Sequence, residues 1–236
     1  MESGKVVAII LAGGLSSRMK AFKPLLPIGG EPALLVAVKG FRAAGIKTIY
    51  VVTGHQRELL APLIAQEGLI EVYNQDYEKG MFSSIGAGIA AAKNAEGGIL
   101  LLPVDCPLVF PEVIKRVLAA ATEKNMVVPC YLGKKGHPLY LPQRYVERIL
   151  AHDGKHGLKG VLEPLEQELI RVDGGREGVL LDMDDQAGYE EILRYVQRGE
   201  EELDLQALAA GKRIFLLRHG EIQQHAGKIF LGQTDV

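Results

Sequence analysis

Short apolar runs alternate with longer segments of helical period along most of this chain. The run Val6–Ala12 is followed by a helical pattern at Ala33–Ala44, and TIYVVT at Thr48–Thr53 then has the β-branched composition of a strand. Strands and helices that alternate in this way favour a mostly parallel sheet with helices on both faces. The sequence therefore predicts a doubly wound α/β fold.

The same pattern continues to residue 198. In sheets of this kind ligands lie beyond the carboxyl ends of the strands, so the loops after the apolar runs are the places to look for function. The serines at the start of the third helix are expected to cap its first turn. The remaining predicted helices are Arg57–Glu67, Ser83–Lys93, Pro111–Lys124, Arg144–Leu150, His156–Leu165 and Gln186–Arg198, and the remaining predicted strands are Ile70–Asn74, Gly98–Pro103, Met126–Cys130, Leu139–Leu141 and Val179–Asp182.

Charge and cysteine content exclude several classes of protein. The 236 residues carry 27 basic and 29 acidic side chains, a formal net charge of −2. A general nucleic-acid or membrane-surface binder needs a field of Lys and Arg, so we expect neither partner, although local anion sites remain open. Val6–Ala12 is shorter than the roughly 20 apolar residues that span a bilayer. Only Cys106 and Cys130 are present, which argues against a disulfide framework and favours the cytoplasm.

A glycine loop follows the first predicted strand. Gly13 and Gly14 let the backbone turn its N–H groups toward an anion, and Arg18 and Lys23 add positive charge. This pattern indicates a phosphate site, and a surface loop with two solvated cations is the alternative. Neither G-x-x-x-x-G-K-[ST] nor G-x-G-x-x-G follows the strand, which argues against a P-loop NTPase.

A partial dinucleotide fingerprint occurs elsewhere, at Gly86–Ala91. It lies inside a predicted helix, about a dozen residues past the nearest predicted strand. A functional fingerprint opens a helix directly after a strand, where the pyrophosphate meets the helix N-terminus. We therefore interpret these small residues as positions of close packing between helix and sheet.

Carboxylates follow two of the predicted strands. Asp105 comes after a buried run, where a charge is costly unless it is paired, hydrogen-bonded or bound to a metal such as Mg²⁺. A turn or helix-capping role is the alternative for Asp105, and Cys106 is interpreted as a small buried residue rather than a nucleophile. Alternation would place Asp182 and Asp184 on one side, as a second metal contact. Asp185 is predicted to be the N-cap of the last helix.

These residues together resemble the MobA-like nucleotidyltransferases. LAGGLSSRM at residues 11–19 and KPLLP at 23–27 are similar to the opening signature of that family. The resemblance is greatest to the molybdenum cofactor cytidylyltransferase branch, from which the chain departs at Lys20, at Lys159 and at Asp185–Ala187. These departures bear on the identity of the acceptor molecule and not on the fold or the nucleotide chemistry. Similar motifs follow in the family's order at Gly80–Ile85, Val104–Leu108, Gly136–Pro138 and Asp182–Asp184.

The resemblance implies a Rossmann-like nucleotidyltransferase fold and a Mg²⁺-dependent reaction. A phosphate oxygen of a phosphorylated acceptor, such as molybdopterin or the molybdenum cofactor, attacks the α-phosphorus of CTP or GTP, and pyrophosphate leaves. The alternatives are an acceptor from another pathway, such as cobalamin nucleotide-loop assembly, and a non-catalytic nucleotide sensor. The resemblance assigns Leu11, Ala12, Gly13, Gly14, Gly80 and Ser83 to nucleotide contact, Arg18, Lys23 and Asp105 to nucleotide binding and catalysis, and Asp105 with Asp184 to Mg²⁺.

A second resemblance begins after residue 198. Residues 199–211 are acidic and then alanine-rich, which is typical of a linker. RIFLLRHGE at 213–221 and GKIFLGQTD at 227–235 resemble the start of the histidine phosphatase, or phosphoglycerate mutase-like, superfamily. In that family the counterpart of His219 becomes phosphorylated and that of Arg218 holds the phosphate. We expect a nucleotidyltransferase domain at 1–198 and, at 212–236, an incomplete N-terminal fragment of a phosphatase domain from a bifunctional parent.

Overall fold

The structure, a computed structural model, describes residues 3–14, 19 and 21–209. Their contacts divide the chain into two units, residues 1–197 and residues 198–236. The strands are β1 (Val7–Leu11), β2 (Pro27–Ile28), β3 (Glu31–Pro32), β4 (Thr48–Thr53), β5 (Ile70–Tyr73), β6 (Ile99–Pro103), β7 (Met126–Tyr131), β8 (Lys134–Lys135), β9 (Leu139–Leu141) and β10 (Leu169–Asp173). The α-helices are α1 (Ala33–Ala43), α2 (Arg57–Gln66), α3 (Met81–Ala91), α4 (Pro111–Ala120), α5 (Val146–Leu150), α6 (Gly157–Leu162) and α7 (Gln186–Ala209).

One mixed sheet organises the first unit. Its strand order is β10-β7-β9-β6-β1-β4-β5, and β8 pairs with the C-terminal end of β7. Strands β5, β4, β1 and β6 are parallel, and so are β7 and β10, whereas β9 runs antiparallel to both β6 and β7. The expectation of a mostly parallel sheet is confirmed.

Strand β1 shows why both faces of the sheet are covered. All five of its residues are buried, as in a central strand of a two-sided sheet. Ala8 and Ile10 pack into the apolar cluster that contains the inner faces of α1, α2 and α4. Ile9 and Leu11 pack into the cluster on the other face, with α3, α5 and α6. The doubly wound α/β architecture is therefore confirmed.

The predicted strand at Val179–Asp182 is wrong. A short 3₁₀ helix at Glu177–Val179 stands there, and Val179 and Leu181 are apolar because they are buried in the core outside the sheet. The edge strand next to β7 is instead β10, which no apolar run in the sequence predicts. Its residues alternate between half-buried and exposed positions and include charged side chains, as expected at a sheet edge.

The limits of the α-helices differ from the predicted ones at one or both ends, and the differences at α3 and α7 bear on the site and on the domain division. Helix α3 begins at Met81, two residues earlier than predicted, and no side chain caps its N-terminus, so the expected serine caps are wrong. Helix α7 continues to Ala209 through most of the segment predicted as a linker. The N-cap of α7 is confirmed, because the Gly188 N–H donates to Asp185 Oδ1 at 3.0 Å.

The small residues at 86–91 lie within α3, where Gly88 allows close contact with the sheet. A Cβ at Gly88 would stand 2.7 Å from Ile9 Cγ2 and 2.8 Å from Val52 Cγ2. The packing interpretation is thus confirmed at this glycine.

Among the described residues, no helix combines the length and apolar character needed to cross a membrane. Residues 210–236, with Arg218 and His219, lie outside the described residues, so the phosphatase resemblance and the division at 198 stay predictions.

Candidate active site

A cleft of about 440 Å³ opens where β1 and β6 end side by side. Leu11 and Pro103, the last residues of these strands, are paired in the sheet and both border the cleft. The Val104 N–H donates to the Leu11 carbonyl at 3.0 Å and continues the pairing one residue further. The cleft is lined by Leu11, Ala12, Gly13, Gly14, Lys23, Pro24, Tyr77, Glu78, Gly80, Met81, Ser84, Pro103, Val104, Asp105 and Asp184.

The two glycines after β1 have different roles. A Cβ at Gly13 would lie 3.2 Å from the backbone nitrogen of Gly54, so this position is held tightly against the end of β4. The Gly13 carbonyl accepts the His55 N–H at 3.3 Å, which fixes the start of the loop. Gly14 is exposed, with open space around its Cβ position. A ligand can therefore approach the backbone at Gly14 closely.

Lys23 stands between two carboxylates inside the cleft. Its Nζ lies 3.1 Å from Asp184 Oδ1 and 3.6 Å from Asp105 Oδ2. The exposed fractions of the Lys23 and Asp105 side chains are 12% and 18%, while that of Asp184 is 49%. Three residues from distant parts of the sequence thus meet at one point, with the positive charge in the middle.

Asp105 lies partly buried just beyond the end of β6. Burial raises its pKa, an effect that the positive charge of Lys23 opposes and that the nearby charges of Asp184 and Asp182 strengthen. The Cys106 thiol donates to Asp105 Oδ1 at 3.7 Å, and burial raises the pKa of this thiol well above its ordinary value. Asp105 caps no helix, because α4 begins at Pro111. Cys106 is accordingly a poor nucleophile and a weak partner of the carboxylate.

Asp184 reaches the cleft from a turn rather than from a strand. Its N–H donates to Asp182 Oδ1 at 3.0 Å, and the neighbouring Met183 N–H donates to the Asp105 carbonyl at 2.9 Å. Strand alternation, the reason given for pairing Asp182 with Asp184, is therefore wrong. Asp182 is exposed and lies outside the cleft lining.

Asn74 organises the opposite wall. Its side-chain amide donates to the hydroxyls of Ser83 at 2.8 Å and Ser84 at 3.0 Å, and its Oδ1 accepts the Asp76 N–H. These bonds tie the end of β5 to the first turn of α3. Between them Gly80 has φ of +97°, a conformation that favours glycine.

The structure brings most of the predicted site residues together. Ser83 is not among the lining residues, and its proposed nucleotide contact stays a prediction. Its single hydroxyl proton has two carbonyl acceptors within reach, Asp76 at 2.9 Å and Gly80 at 2.8 Å. Arg18 lies outside the described residues. Those that share the cleft are Leu11, Ala12, Gly13, Gly14, Lys23, Gly80, Asp105 and Asp184.

Asn74 and Ser84 are missing from the sequence-based set. Asn74 is a polar residue directly after a strand, so the same rule that selects Asp105 could have found it. Ser83 and Ser84 are consecutive in α3 and therefore point to different sides of the helix. Which of them faces the cleft depends on the residue at which the helix begins.

The pair of carboxylates suits a divalent cation that a nucleotide helps to hold. The described residues contain no cluster of three or more His, Cys, Asp or Glu side chains fit to bind a metal by themselves. Mg²⁺ typically takes one or two carboxylates and fills its remaining positions with phosphate oxygens and waters. Asp105 and Asp184, which already surround an ammonium group, fit that donor set.

Comparison with known proteins identifies the family. A family model described as a MobA-like NTP transferase domain matches residues 8–170. The bifunctional protein GlmU of Geotalea daltonii is 34% identical over 126 residues, which cover 52% of this chain and 28% of that protein. The match thus spans less than a third of this curated relative.

Solved structures share the fold. A nucleotidyl transferase from Methanothermobacter superposes with a TM-score of 0.73 at 23% identity, covering 82% of this chain and 98% of that one. The Rv0371c protein of Mycobacterium tuberculosis, solved in complex with manganese, gives a TM-score of 0.64 at 24% identity, with 80% and 98% covered.

Proposed function

The chain belongs to the MobA-like NTP transferase domain family, and we propose that it transfers a nucleoside monophosphate from CTP or GTP to a phosphorylated small-molecule acceptor. Pyrophosphate is the second product. The observation that carries this proposal is the position of Lys23 between Asp105 and Asp184, beside the glycine loop.

The cleft supplies charge and position rather than a nucleophile. The acceptor's own phosphate oxygen forms the new bond to the α-phosphorus, and the bond from that phosphorus to the bridging oxygen of pyrophosphate breaks. In such a displacement catalysis consists of in-line alignment and stabilisation of the developing charge. Lys23 is placed to hold outer phosphate oxygens, and Gly14 leaves room for phosphate against the backbone. Arg18, on the same loop, is proposed to add a second cation.

Asp105 and Asp184 are the proposed ligands of Mg²⁺. A divalent cation would supply charge neutralisation at the phosphates during the displacement. The manganese in the Rv0371c structure supports metal use by this fold.

The acceptor is proposed to be molybdopterin or the molybdenum cofactor. The support is the resemblance of the motifs at 11–27, 80–85 and 104–108 to the molybdenum cofactor cytidylyltransferase branch. An acceptor of cobalamin nucleotide-loop assembly remains the alternative, and the reaction would take place in the cytoplasm.

Pyrophosphate release tests the proposal directly. The full chain is incubated with CTP, GTP or ATP, with Mg²⁺ and with the molybdenum cofactor, and release above the level without acceptor is expected for CTP or GTP. No acceptor-dependent release with any nucleotide would overturn the assignment.

Asp105→Asn provides the matching negative control. The amide keeps the shape of the carboxylate but loses its charge, so the variant should fold normally and lose most activity, by about 10²-fold or more. Asp185→Asn removes a charge from a residue that is next to Asp184 but does not itself line the cleft, and it keeps the helix cap, so it should retain activity. Near-normal turnover of Asp105→Asn in saturating Mg²⁺ would refute the metal assignment.

A further inference from the structure

Met81 is an exposed methionine in the wall of the cleft. The chain has five methionines, and the structure describes four of them. Met19, Met126 and Met183 are buried, whereas the exposed fraction of Met81 is 58%. Met1 lies outside the described residues. An oxidant in solution therefore reaches the Met81 thioether more readily than the three buried ones.

The two cysteines are weak competitors for an oxidant. Hydrogen peroxide reacts with a thiolate rather than with a thiol, so a raised pKa protects a cysteine. Cys106 is buried, and burial raises its pKa well above the ordinary value. Burial also raises the pKa of Cys130, an effect that the positive charges of Arg171 and Lys135 oppose. A thioether has no proton to lose, so the reactivity of Met81 does not depend on such a shift.

The position of Met81 couples its chemistry to the cleft. Met81 is the first residue of α3, and both Met81 and the buried Ser84, one turn later, line the cleft. Leu11 and Val104, at the ends of β1 and β6, supply further apolar surface to the same cleft. A nucleotide that fills the cleft would remove the Met81 thioether from water.

Oxidation changes the free energy of that burial. An oxygen atom of hydrogen peroxide forms a bond to the sulfur, the O–O bond breaks, and the other oxygen leaves as water. The resulting sulfoxide is polar and chiral, and it is costly to bury where no donor meets its oxygen. This oxygen carries partial negative charge, which the positive end of α3 attracts, since no side chain caps that end. The attraction would hold the oxygen beside the cleft, where it opposes an anionic ligand.

We propose that Met81 is a site of reversible oxidation and that its sulfoxide lowers the affinity of the cleft for nucleotide. Hydrogen peroxide is the oxidant. Methionine sulfoxide reductases, one for each epimer of the sulfoxide, restore the thioether. The inference rests on the proposed binding of a nucleoside triphosphate in this cleft.

Peptide mass spectrometry locates the oxidation. The full chain is treated with dilute hydrogen peroxide, quenched with free methionine and digested. The peptide that contains Met81 should gain one oxygen atom well before those that contain Met19, Met126 and Met183. In urea the four should react at similar rates, because burial no longer protects three of them. Equal rates in the folded protein would overturn the proposal.

Calorimetric titration with CTP or GTP, in the presence of Mg²⁺, measures the consequence. Protein oxidised at Met81 should bind the nucleotide about tenfold more weakly than untreated protein. Treatment with the two reductases should restore the affinity. Unchanged affinity after full oxidation of Met81, or a loss that the reductases do not reverse, would contradict the proposal.

Variants separate Met81 from the other sulfur atoms. Met81→Leu has no thioether in the cleft, so peroxide should leave its affinity for nucleotide as it was before treatment. Adding Leu132→Met moves the thioether to a side chain that is 85% exposed between β7 and β8 and does not line the cleft. The double variant should be oxidised at residue 132 and keep its affinity. A loss of affinity on oxidation of either variant would assign the effect to another residue and overturn the proposal.

The untreated protein distinguishes this inference from the proposed function. If it binds CTP or GTP and releases pyrophosphate, and oxidation of Met81 alters neither, the inference alone is wrong. If the untreated chain binds neither nucleotide, the transferase proposal is wrong, and control of nucleotide binding by Met81 is wrong with it.

Discussion

Lys23 makes two carboxylates compatible within one small cleft. Asp105 and Asp184 would repel each other if the ammonium group between them were removed. The same lysine is the proposed partner of the outer phosphates. It would thus neutralise the carboxylates without nucleotide and bind phosphate oxygens when nucleotide is present. Its removal should therefore affect charged ligands unequally.

Lys23→Ala should weaken the binding of CTP or GTP much more than that of the corresponding monophosphate. The triphosphate should lose about tenfold in affinity or more, since its extra phosphates lose a charge-assisted contact and face two uncompensated carboxylates. Titration calorimetry of both nucleotides measures the difference. Lys39→Ala, at an exposed lysine paired with Glu31, is the control. Equal losses for the two nucleotides would remove Lys23 from the triphosphate site.

Asp105 should oppose folding at neutral pH. Because burial raises its pKa in the folded state, the folded protein binds this proton more tightly than the unfolded chain does. The stabilisation from protonated Asp105 is complete below its unfolded pKa and is lost as the pH rises through its higher folded pKa. In metal-free buffer at pH 7, Asp105→Asn should thus melt at a higher temperature than wild type.

The gain in melting temperature should shrink as the pH falls through the raised pKa of Asp105, because the wild-type carboxyl then becomes protonated. Scanning calorimetry in EDTA at several pH values follows this trend. A variant that melts below wild type at pH 7 would mean that the ion pair with Lys23 outweighs the cost of burying the charge.

Individual residues of the cleft were predictable where a rule of topology applies. Gly13, Lys23 and Asp105 follow or flank strands that apolar runs reveal, and the structure places all three in the cleft. Predicting Ser84 would require knowledge of how α3 is rotated about its axis. That rotation depends on a helix start at Met81, which no side chain caps. Sequence spacing carries no information on that rotation, and the family resemblance points to the neighbouring Ser83 instead.

At the level of elements, α3 shows how a glycine-rich segment can serve packing. Gly88 faces Ile9 and Val52 of the sheet, whereas the space at the Cβ position of Gly86 is open. The two glycines are one half-turn apart in the same helix and offer a matched pair of substitutions.

Gly88→Ala should destabilise the protein and Gly86→Ala should stabilise it. The first forces a methyl group into contacts below 3 Å, at a cost of about 1–3 kcal/mol in the free energy of unfolding. The second replaces glycine in a helix interior with alanine, a gain of about 0.5–1 kcal/mol. Urea denaturation measures both. Equal effects of the two substitutions would contradict the packing role of Gly88.

Elements with strong periodicity were recognised, and those defined by tertiary contacts were not. Thr48–Thr53 and Leu139–Leu141 form strands with the predicted limits. The apolar residues at 179–182 have the composition of a strand, yet they fill the core beside Gly136, and Val179 accepts the His137 N–H. Strand β10 was missed because a sheet edge needs few apolar residues.

For the whole molecule, deletion of residues 212–236 should leave nucleotidyl transfer unchanged. Among the residues that the structure describes, those that line the cleft lie between 11 and 184. Rates of pyrophosphate release from the full chain and from a chain ending at Gly211 should agree within about twofold, and neither should show phosphatase turnover. A large drop in the shorter chain would mean that the C-terminal residues complete the site.

Strand β9 divides the sheet into two parallel blocks that come from successive parts of the chain. The strands of the block that ends at the cleft come from residues 7–103, and those of the other block come from residues 126–173. Within the sheet the blocks are joined by the antiparallel pairs of β9, three with β6 and one with β7. The glycine loop and Asp105 follow strands of the earlier block. The later block could therefore change in sequence during evolution while the earlier block, with its glycine loop and Asp105, stayed unchanged.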